Sequence, residues 1–100
     1  MIVSVLTAQA TSPEAAQQVC RIFYESLELH REPGWLRSSC MTRIDDPRGI
    51  FVHEHWSNRA AWEAWQGSVA DRFLREEAAP FLDTPWETSL YEGGYVAAAK

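Results

Sequence analysis

A glutamate near the middle of the chain is the strongest candidate for acid–base chemistry. Glu54 lies within residues 50–56, where side chains alternate in the way that is typical of a β-strand. If helices cover the face that carries Glu54, burial raises the pKa of its carboxyl and makes it a base for a bound hydroxyl group. Arg75 or Arg72 could then hold the resulting anion. The alternatives are an ion-paired or interface glutamate and two arginines on a solvated helix face.

Aromatic side chains could bind a flat ring beside this carboxylate. Trp62 and Trp65 are three residues apart and therefore share one helix face, while Phe23 belongs to the apolar stripe of an earlier helix. We predict that Trp65 lines a cavity between the sheet and its helix, together with Phe23, Val52 and Glu54. The alternative is that the tryptophans only pack in the core, which is their usual role at helical spacing.

A pair of histidines on the same predicted strand raises the question of a metal ion. His53 and His55 are two residues apart, so both imidazoles point to one side of the sheet. A third ligand is not supplied nearby, because Arg59 and Ala60 occupy the positions where a cupin-type site carries a glutamate. We predict no metal site and expect the two histidines to face a partner subunit.

Composition excludes several classes of protein. One hundred residues suit a single domain over 1–100, and 14 acidic against 9 scattered basic residues give a net charge of −5, which argues against a nucleic-acid partner. The chain has no basic, apolar leader and no apolar run of about 18 residues, so we expect a soluble cytoplasmic protein with no membrane partner. Cys20 and Cys40 fall inside predicted elements, which favours buried thiols over a disulfide framework.

The elements that must position these residues follow from periodicity and from turn residues. Ser12 and Pro13 begin a helix, Ser57 is the expected N-cap of the next helix, and Gly67 with Ser68 interrupts the helical pattern before it resumes. A hairpin turn over residues 45–49 joins two antiparallel strands. The pattern predicts strands over 2–8, 35–44, 50–56 and 86–92, helices over 13–31, 58–65 and 69–79, and a frayed tail over 97–100.

This order of elements predicts an α+β fold of the ferredoxin-like type, βαββαβ, with an antiparallel sheet and helices on one face. The other face then lacks a cover. Because Phe51, His53 and His55 make that face partly apolar, a second subunit is the simplest cover, and we predict a homodimer joined through the sheet faces.

Several short segments, taken in order, resemble the antibiotic biosynthesis monooxygenase family over nearly the whole chain. They are the Pro33-Gly34 entry to the second strand, the Asp- and Pro-rich hairpin turn, the strand end Glu54-x-Trp56, the helix Ala61-Trp-Glu-Ala-Trp65 and the Phe73 segment. The resemblance implies a dimeric α+β barrel that oxidises phenols, quinols or polyketide-type aromatics with molecular oxygen, without metal or flavin.

The resemblance also bears on individual positions. A related haem-degrading branch carries a tryptophan where Trp65 falls, but an asparagine at the place of Thr7 and a histidine ligand at the place of Arg75. Many quinol-oxidising relatives carry histidines near the positions of Trp65 and Ala70. This chain therefore lacks the histidines of both groups.

We predict a cofactor-independent monooxygenase that acts on a small aromatic, quinol or polyketide-type substrate and uses no cofactor. The expected catalytic residues are Glu54, Trp65 and Arg75, and the expected substrate-binding residues are Thr7, Phe23, Val52 and Trp62. The alternatives are a non-catalytic dimer that binds an apolar small molecule and, third, a haem-binding relative.

Overall fold

The computed structural model describes residues 1–94 and 97–99. Its strands are β1 (Ile2–Gln9), β2 (Trp35–Thr42), β3 (Gly49–Trp56) and β4 (Glu87–Glu92). Its helices are α1 (Pro13–Tyr24), α2 (Leu27–His30), α3 (Arg59–Trp65) and α4 (Val69–Ala78), and a 3₁₀ helix follows at Ala79–Phe81. The predicted ferredoxin-like βαββαβ arrangement is confirmed.

The four strands form one antiparallel sheet in the order β2-β3-β1-β4. The predicted hairpin of β2 and β3 is present, and β1 lies between β3 and β4. Ser4 of β1 is directly opposite Glu54 of β3, and Ser38 of β2 is opposite Glu54 on its other side. Residues directly opposite one another in an antiparallel pair point to the same face, so these three side chains share one side of the sheet.

The two faces of the sheet differ in burial. Side chains alternate between buried and partly exposed along both central strands, as expected for a sheet with only one covered face. The helices α1 and α3 contact the covered face, and α4 packs against α1 and α2. Glu54 lies on the covered face. The buried residues of the two central strands are Ile2, Ser4, Leu6, Gly49, Ile50, Val52, Glu54 and Trp56.

The predicted single helix over residues 13–31 is wrong, because the chain forms two helices there. The first begins as expected, with the Ser12 side chain accepting from the backbone N–H of Ala15 and Pro13 at the first helical position. It ends at Tyr24. The Ser26 hydroxyl then accepts from the N–H of Leu29 and starts α2, because a serine side chain can replace the helical partner of a backbone donor.

The predicted N-cap of α3 is also wrong by one residue. Asn58 rather than Ser57 caps this helix, with its Oδ1 2.9 Å from the backbone nitrogen of Ala61. Ser57 is instead held by the loop between α2 and β2, since its backbone N–H donates to the carbonyl of Gly34 at 2.8 Å. The predicted break at Gly67 is present, and Ser68 caps α4.

The remaining boundaries differ from the predictions by one or two residues, which is the usual scatter at element ends. The strand β2 ends at Thr42 rather than Ile44, which is fully exposed in the turn, and β4 begins one residue after Trp86. Gly93 ends β4 in a left-handed conformation, and its N–H donates to the carbonyl of Met1. Residues 97–99 form no helix or strand, and Lys100 of the predicted frayed tail lies outside the described residues.

In the described part of the chain, every helix is too short or too polar to cross a membrane.

Candidate functional site

Glu54 is a buried carboxyl group beneath the helices. Its exposed fraction is 3%, and it accepts a hydrogen bond of 2.9 Å from the Ser4 hydroxyl at Oε1. Burial raises the pKa of Glu54 to about 7, and the negative charge of Asp71 adds to the rise, while the hydrogen bond from Ser4 and the charge of Arg75 oppose it. A carboxyl with this pKa exchanges a proton readily near neutral pH, as a general base must.

A short hydrogen-bonded chain fixes the orientation of this carboxyl. The indole Nε1–H of Trp56 donates to Ser4 Oγ at 3.3 Å, and the Ser4 hydroxyl in turn donates a hydrogen bond to Glu54. Ser4 and Trp56 are both fully buried, and the Trp56 ring lies 6.2 Å from that of Trp65, between centroids. Because the hydroxyl accepts from Trp56 and donates to Oε1 of Glu54, it links the two side chains in one orientation.

An ion pair lies close enough to Glu54 to affect the pKa of its carboxyl. Asp71 is 4% exposed, and its Oδ1 is 3.1 Å from Nε of Arg75, one helical turn later. Its other oxygen accepts from the backbone N–H of Gly67 at 2.9 Å. The predicted anion-binding residue Arg75 is therefore paired, whereas Arg72 is exposed. Asp71 was not among the predicted site residues, although its four-residue spacing from Arg75 is typical of an ion pair on a helix.

A pocket of about 440 Å³ lies between the helices α1 and α2 and the strands β2 and β3. Phe23 and Val52, two of the predicted substrate-binding residues, both line it. Trp35 also lines the pocket, with its ring 4.9 Å from that of His30, and its Nε1 is buried without a hydrogen-bond partner in the described part of the chain. The other lining residues are Cys20, Tyr24, His30, Arg37, Ser38, Ser39 and Cys40.

The pocket and Glu54 are neighbours in the sheet. Val52 precedes Glu54 by two positions on the same face of β3, and Ser38 is directly opposite Glu54 on β2. Both line the pocket, so its wall includes the two residues that neighbour Glu54 on the covered face of the sheet. Glu54 and Trp65 themselves are not among the lining residues. The predicted cavity was to be lined by Trp65, Phe23, Val52 and Glu54. Phe23 and Val52 do line one pocket, whereas Glu54 lies beyond its wall.

Two other predicted site residues lie apart from this pocket. Thr7 is opposite Phe51 on β3 and points to the uncovered face of the sheet, where it lines a separate pocket of about 400 Å³. Trp62 is partly buried against the core from α3. Thr7 and Glu54 point to opposite faces of the sheet. Arg75 is on the same side as Glu54, so Thr7 and Arg75, the two positions that correspond to the haem-degrading branch, are not brought together.

The histidine pair lies on the uncovered face, as expected for side chains predicted to face a partner subunit. Nδ1 of His53 is 2.9 Å from Nε2 of His55, and both side chains are partly exposed. Partial burial lowers the pKa of each imidazole, and the nearby charge of Arg37 lowers it further. Among the described residues, no group of three or more potential metal ligands occurs.

Sequence and structure comparisons both identify related proteins. The antibiotic biosynthesis monooxygenase family profile matches residues 1–76. No curated protein sequence matches the chain significantly. A Nitrosomonas europaea protein, whose assignment as an antibiotic biosynthesis monooxygenase is provisional, has 25% sequence identity and a TM-score of 0.77, covering 95% of this chain and 100% of its own.

Two further solved structures show the same fold at lower identity. The monooxygenase from the ActVA-Orf6 gene of Streptomyces coelicolor, in complex with nanaomycin D, has 16% identity and a TM-score of 0.83, over 98% of this chain and 92% of its own. A mutant of SnoaB, a cofactor-independent oxygenase from Streptomyces nogalater, has 13% identity and a TM-score of 0.76, over 95% and 94%.

Proposed function

The chain belongs to the antibiotic biosynthesis monooxygenase family, and we propose that it is a cofactor-independent oxygenase of a small, electron-rich aromatic compound. One observation carries the proposal: a buried carboxyl, Glu54, whose pKa is raised to about 7, lies directly behind an aromatic-lined pocket. Two relatives of the same fold, SnoaB and the ActVA-Orf6 protein, are an oxygenase that needs no cofactor and a monooxygenase crystallised with an aromatic ligand.

The pocket suits a small aromatic ring. Its volume of about 440 Å³ falls within the range of roughly 300–1,000 Å³ that is common for small-molecule sites. Phe23 and Trp35 offer aromatic surface, and Val52 lines the pocket from the sheet. The buried Trp35 Nε1–H, which has no partner in the described part of the chain, is a donor that an oxygen of the ligand would satisfy.

The chemistry assigned to Glu54 is removal of a proton from the substrate. A phenol or an anthrone becomes an electron donor to oxygen only after it has lost a proton, and a base with a pKa near 7 can take that proton at neutral pH. Oxidation of an anthrone methylene to a carbonyl then uses one oxygen atom of O₂, and the other leaves as water. Because the helices exclude solvent, the carboxylate of Glu54 is poorly solvated, which makes it a stronger base than a glutamate in water.

Oxygen uptake by metal-free protein tests the proposal. Chelator-treated protein should consume oxygen with an anthrone or with 1,8-dihydroxynaphthalene, and Glu54→Gln should lower kcat by about 100-fold or more with little change in KM. Glu63→Gln is the matched control, because Glu63 is exposed on α3 and paired with Arg59. Equal activity of Glu54→Gln would exclude Glu54 as the base.

A non-catalytic binder of an apolar molecule is the second candidate. It is favoured by one observation: Glu54 is absent from the pocket lining, while the cation of Arg75 is already paired with Asp71. If the protein is a binder, the same naphthalene diol should quench its tryptophan fluorescence. The protein should then consume no oxygen with any of a panel of quinols and anthrones. A haem-binding role has less support, and a Soret band after haemin addition would reveal it.

We also propose that the protein is a homodimer joined through the uncovered sheet face. Val5, Phe51, His53 and His55 are partly exposed there, and a two-fold axis would cover the same surface on both subunits. Light scattering of the wild type should give a dimer, and Val5→Glu should give a monomer. Val69→Glu, at an exposed position on α4, is the control. A folded wild-type monomer at micromolar concentration would contradict the proposal.

A further inference from the structure

Two thiols that are distant in sequence meet between a helix and an edge strand. Cys20 is on α1 and Cys40 is on β2, and their sulfur atoms are 2.7 Å apart, against about 2.05 Å in a disulfide bond. Both cysteines are free and partly exposed. The predicted burial of the two thiols is therefore wrong, and their contact could not be predicted because it depends on how α1 packs against β2.

We propose that Cys20 and Cys40 form a redox-active dithiol, which a hydroperoxide oxidises to a disulfide that links α1 to β2. The site is separate from Glu54 and does not depend on the function proposed above. It requires only that the two sulfurs keep their contact and that an oxidant of small size reaches them.

The location of the pair supplies that access. Both cysteines line the aromatic pocket, and both also line a neighbouring groove of about 590 Å³ that is bordered by Gln17, Arg21 and Tyr24. The thiols therefore form part of the wall between the pocket and the groove. A hydroperoxide can approach from the groove without entering the pocket.

The two thiols are not equivalent. The S–H group of Cys40 donates to the sulfur of Cys20, and this hydrogen bond lowers the pKa of the Cys20 thiol. Donating the bond raises the pKa of Cys40, and burial raises it further. The groove by which an oxidant arrives is lined mainly by α1 residues that flank Cys20, so we assign Cys20 as the sulfur that attacks the oxidant and Cys40 as the one that resolves the intermediate.

The reaction has two steps. The Cys20 thiolate attacks the peroxide oxygen, the O–O bond breaks, and an alcohol or water leaves while Cys20 becomes a sulfenic acid. The sulfur of Cys40 then displaces the sulfenic hydroxyl as water and forms the S–S bond. In total, two thiols and one hydroperoxide give one disulfide, one alcohol and one water, so the two electrons lost by sulfur reduce the O–O bond.

The test uses the full, reduced protein with one equivalent of hydrogen peroxide at neutral pH. We expect both titratable thiols to disappear, the intact mass to fall by two hydrogen atoms, and one cross-linked peptide to contain both cysteines. Dithiothreitol should reverse all three changes. The melting temperature should rise on the order of 10 °C, because the bond constrains the loop between the cysteines in the unfolded chain.

The single variants Cys20→Ser and Cys40→Ser are matched controls, and each keeps one thiol. Under the same treatment neither should lose two hydrogen atoms or gain thermal stability, and Cys40→Ser should keep the faster-reacting thiol. The proposal is overturned if both wild-type thiols still titrate after excess peroxide. It is also overturned if the bond forms only between molecules, or if only the exposed Met41 is oxidised.

Discussion

The Ser4 hydroxyl donates a 2.9 Å hydrogen bond to Oε1 of Glu54 across the two central strands, although the residues are 50 positions apart in the chain. The bond joins a fully buried hydroxyl to a nearly buried carboxyl, in a place where solvent cannot substitute for either partner. Such a bond favours the charged form of the carboxyl, and it opposes the effect of burial on the pKa of Glu54.

Ser4→Ala should therefore raise the pKa of Glu54 above about 7. The variant also leaves the Trp56 Nε1–H without its acceptor, at a cost of about 1–3 kcal/mol in the free energy of unfolding. The carboxyl ¹³C shift of Glu54 followed against pH measures the pKa directly, and the acidic limb of a kcat/KM profile should move to higher pH with it. Ser89→Ala, at an exposed position of β4, is the control. A lower pKa in Ser4→Ala would contradict this account.

Asp71→Asn should change the same pKa in the opposite direction. The negative charge of Asp71 raises the pKa of Glu54, and its removal also releases the positive charge of Arg75, which lowers that pKa. Both effects favour the ionised carboxylate. The same ¹³C titration should give a pKa below the wild-type value. An unchanged value would mean that the ion pair of Asp71 and Arg75 has no influence on Glu54.

The buried Glu54 should make the protein less stable as pH rises. An ordinary glutamate loses its proton near 4.5, while Glu54 in the folded protein keeps it up to about 7, so the folded state binds more protons between these values. The free energy of unfolding therefore falls as pH rises through this window, by about 3 kcal/mol in total, and levels off above it.

Urea unfolding of the wild type and of Glu54→Gln at pH 5, 6 and 8 measures this effect as a difference, because the glutamine does not titrate. The difference is needed because His53 and His55 act with the opposite sign. Their lowered pKa values mean that the unfolded chain binds more protons below about 6.5, so they remove stability as pH falls. If the two proteins lose stability in parallel from pH 5 to pH 8, the pKa of Glu54 is not raised.

Gly34→Ala should destabilise the protein strongly, by about 2 kcal/mol or more. Gly34 has a φ of 84°, and a Cβ atom there would lie 2.5 Å from the Cβ of Ala61 and 3.0 Å from Oγ of Ser57. Backbone strain and a collision with α3 therefore add. Gly67→Ala is the matched control, because Gly67 has a φ of 76° but nothing within 4 Å of the added atom.

The two glycine variants separate strain from collision in chemical denaturation. Gly67→Ala should show only the cost of the left-handed conformation, and the double variant Gly34→Ala/Ala61→Gly should recover the additional loss. Equal losses in Gly34→Ala and Gly67→Ala would mean that the close approach of Gly34 to α3 carries no energetic cost.

The candidate site was partly predictable. Alternation along residues 50–56 correctly grouped Val52 with Glu54 on one face and His53 with His55 on the other, because the two-residue period of a strand is a local property. Alternation alone did not show which face the helices cover. It also could not show that Ser4 and Ser38 lie opposite Glu54, since strand register is set by the packing of the whole sheet.

The order of strands and helices could be predicted from local sequence patterns, since hydrophobic periodicity and turn residues act over a few neighbouring positions. Contacts between residues that are distant in the chain form only in the folded protein. The hydrogen bond from Ser4 to Glu54, the meeting of Cys20 with Cys40, and the position of Thr7 on the uncovered face all depend on strand register and helix packing. The pKa of Glu54 belongs to this second group, because only the folded core removes the water that would otherwise stabilise its charge.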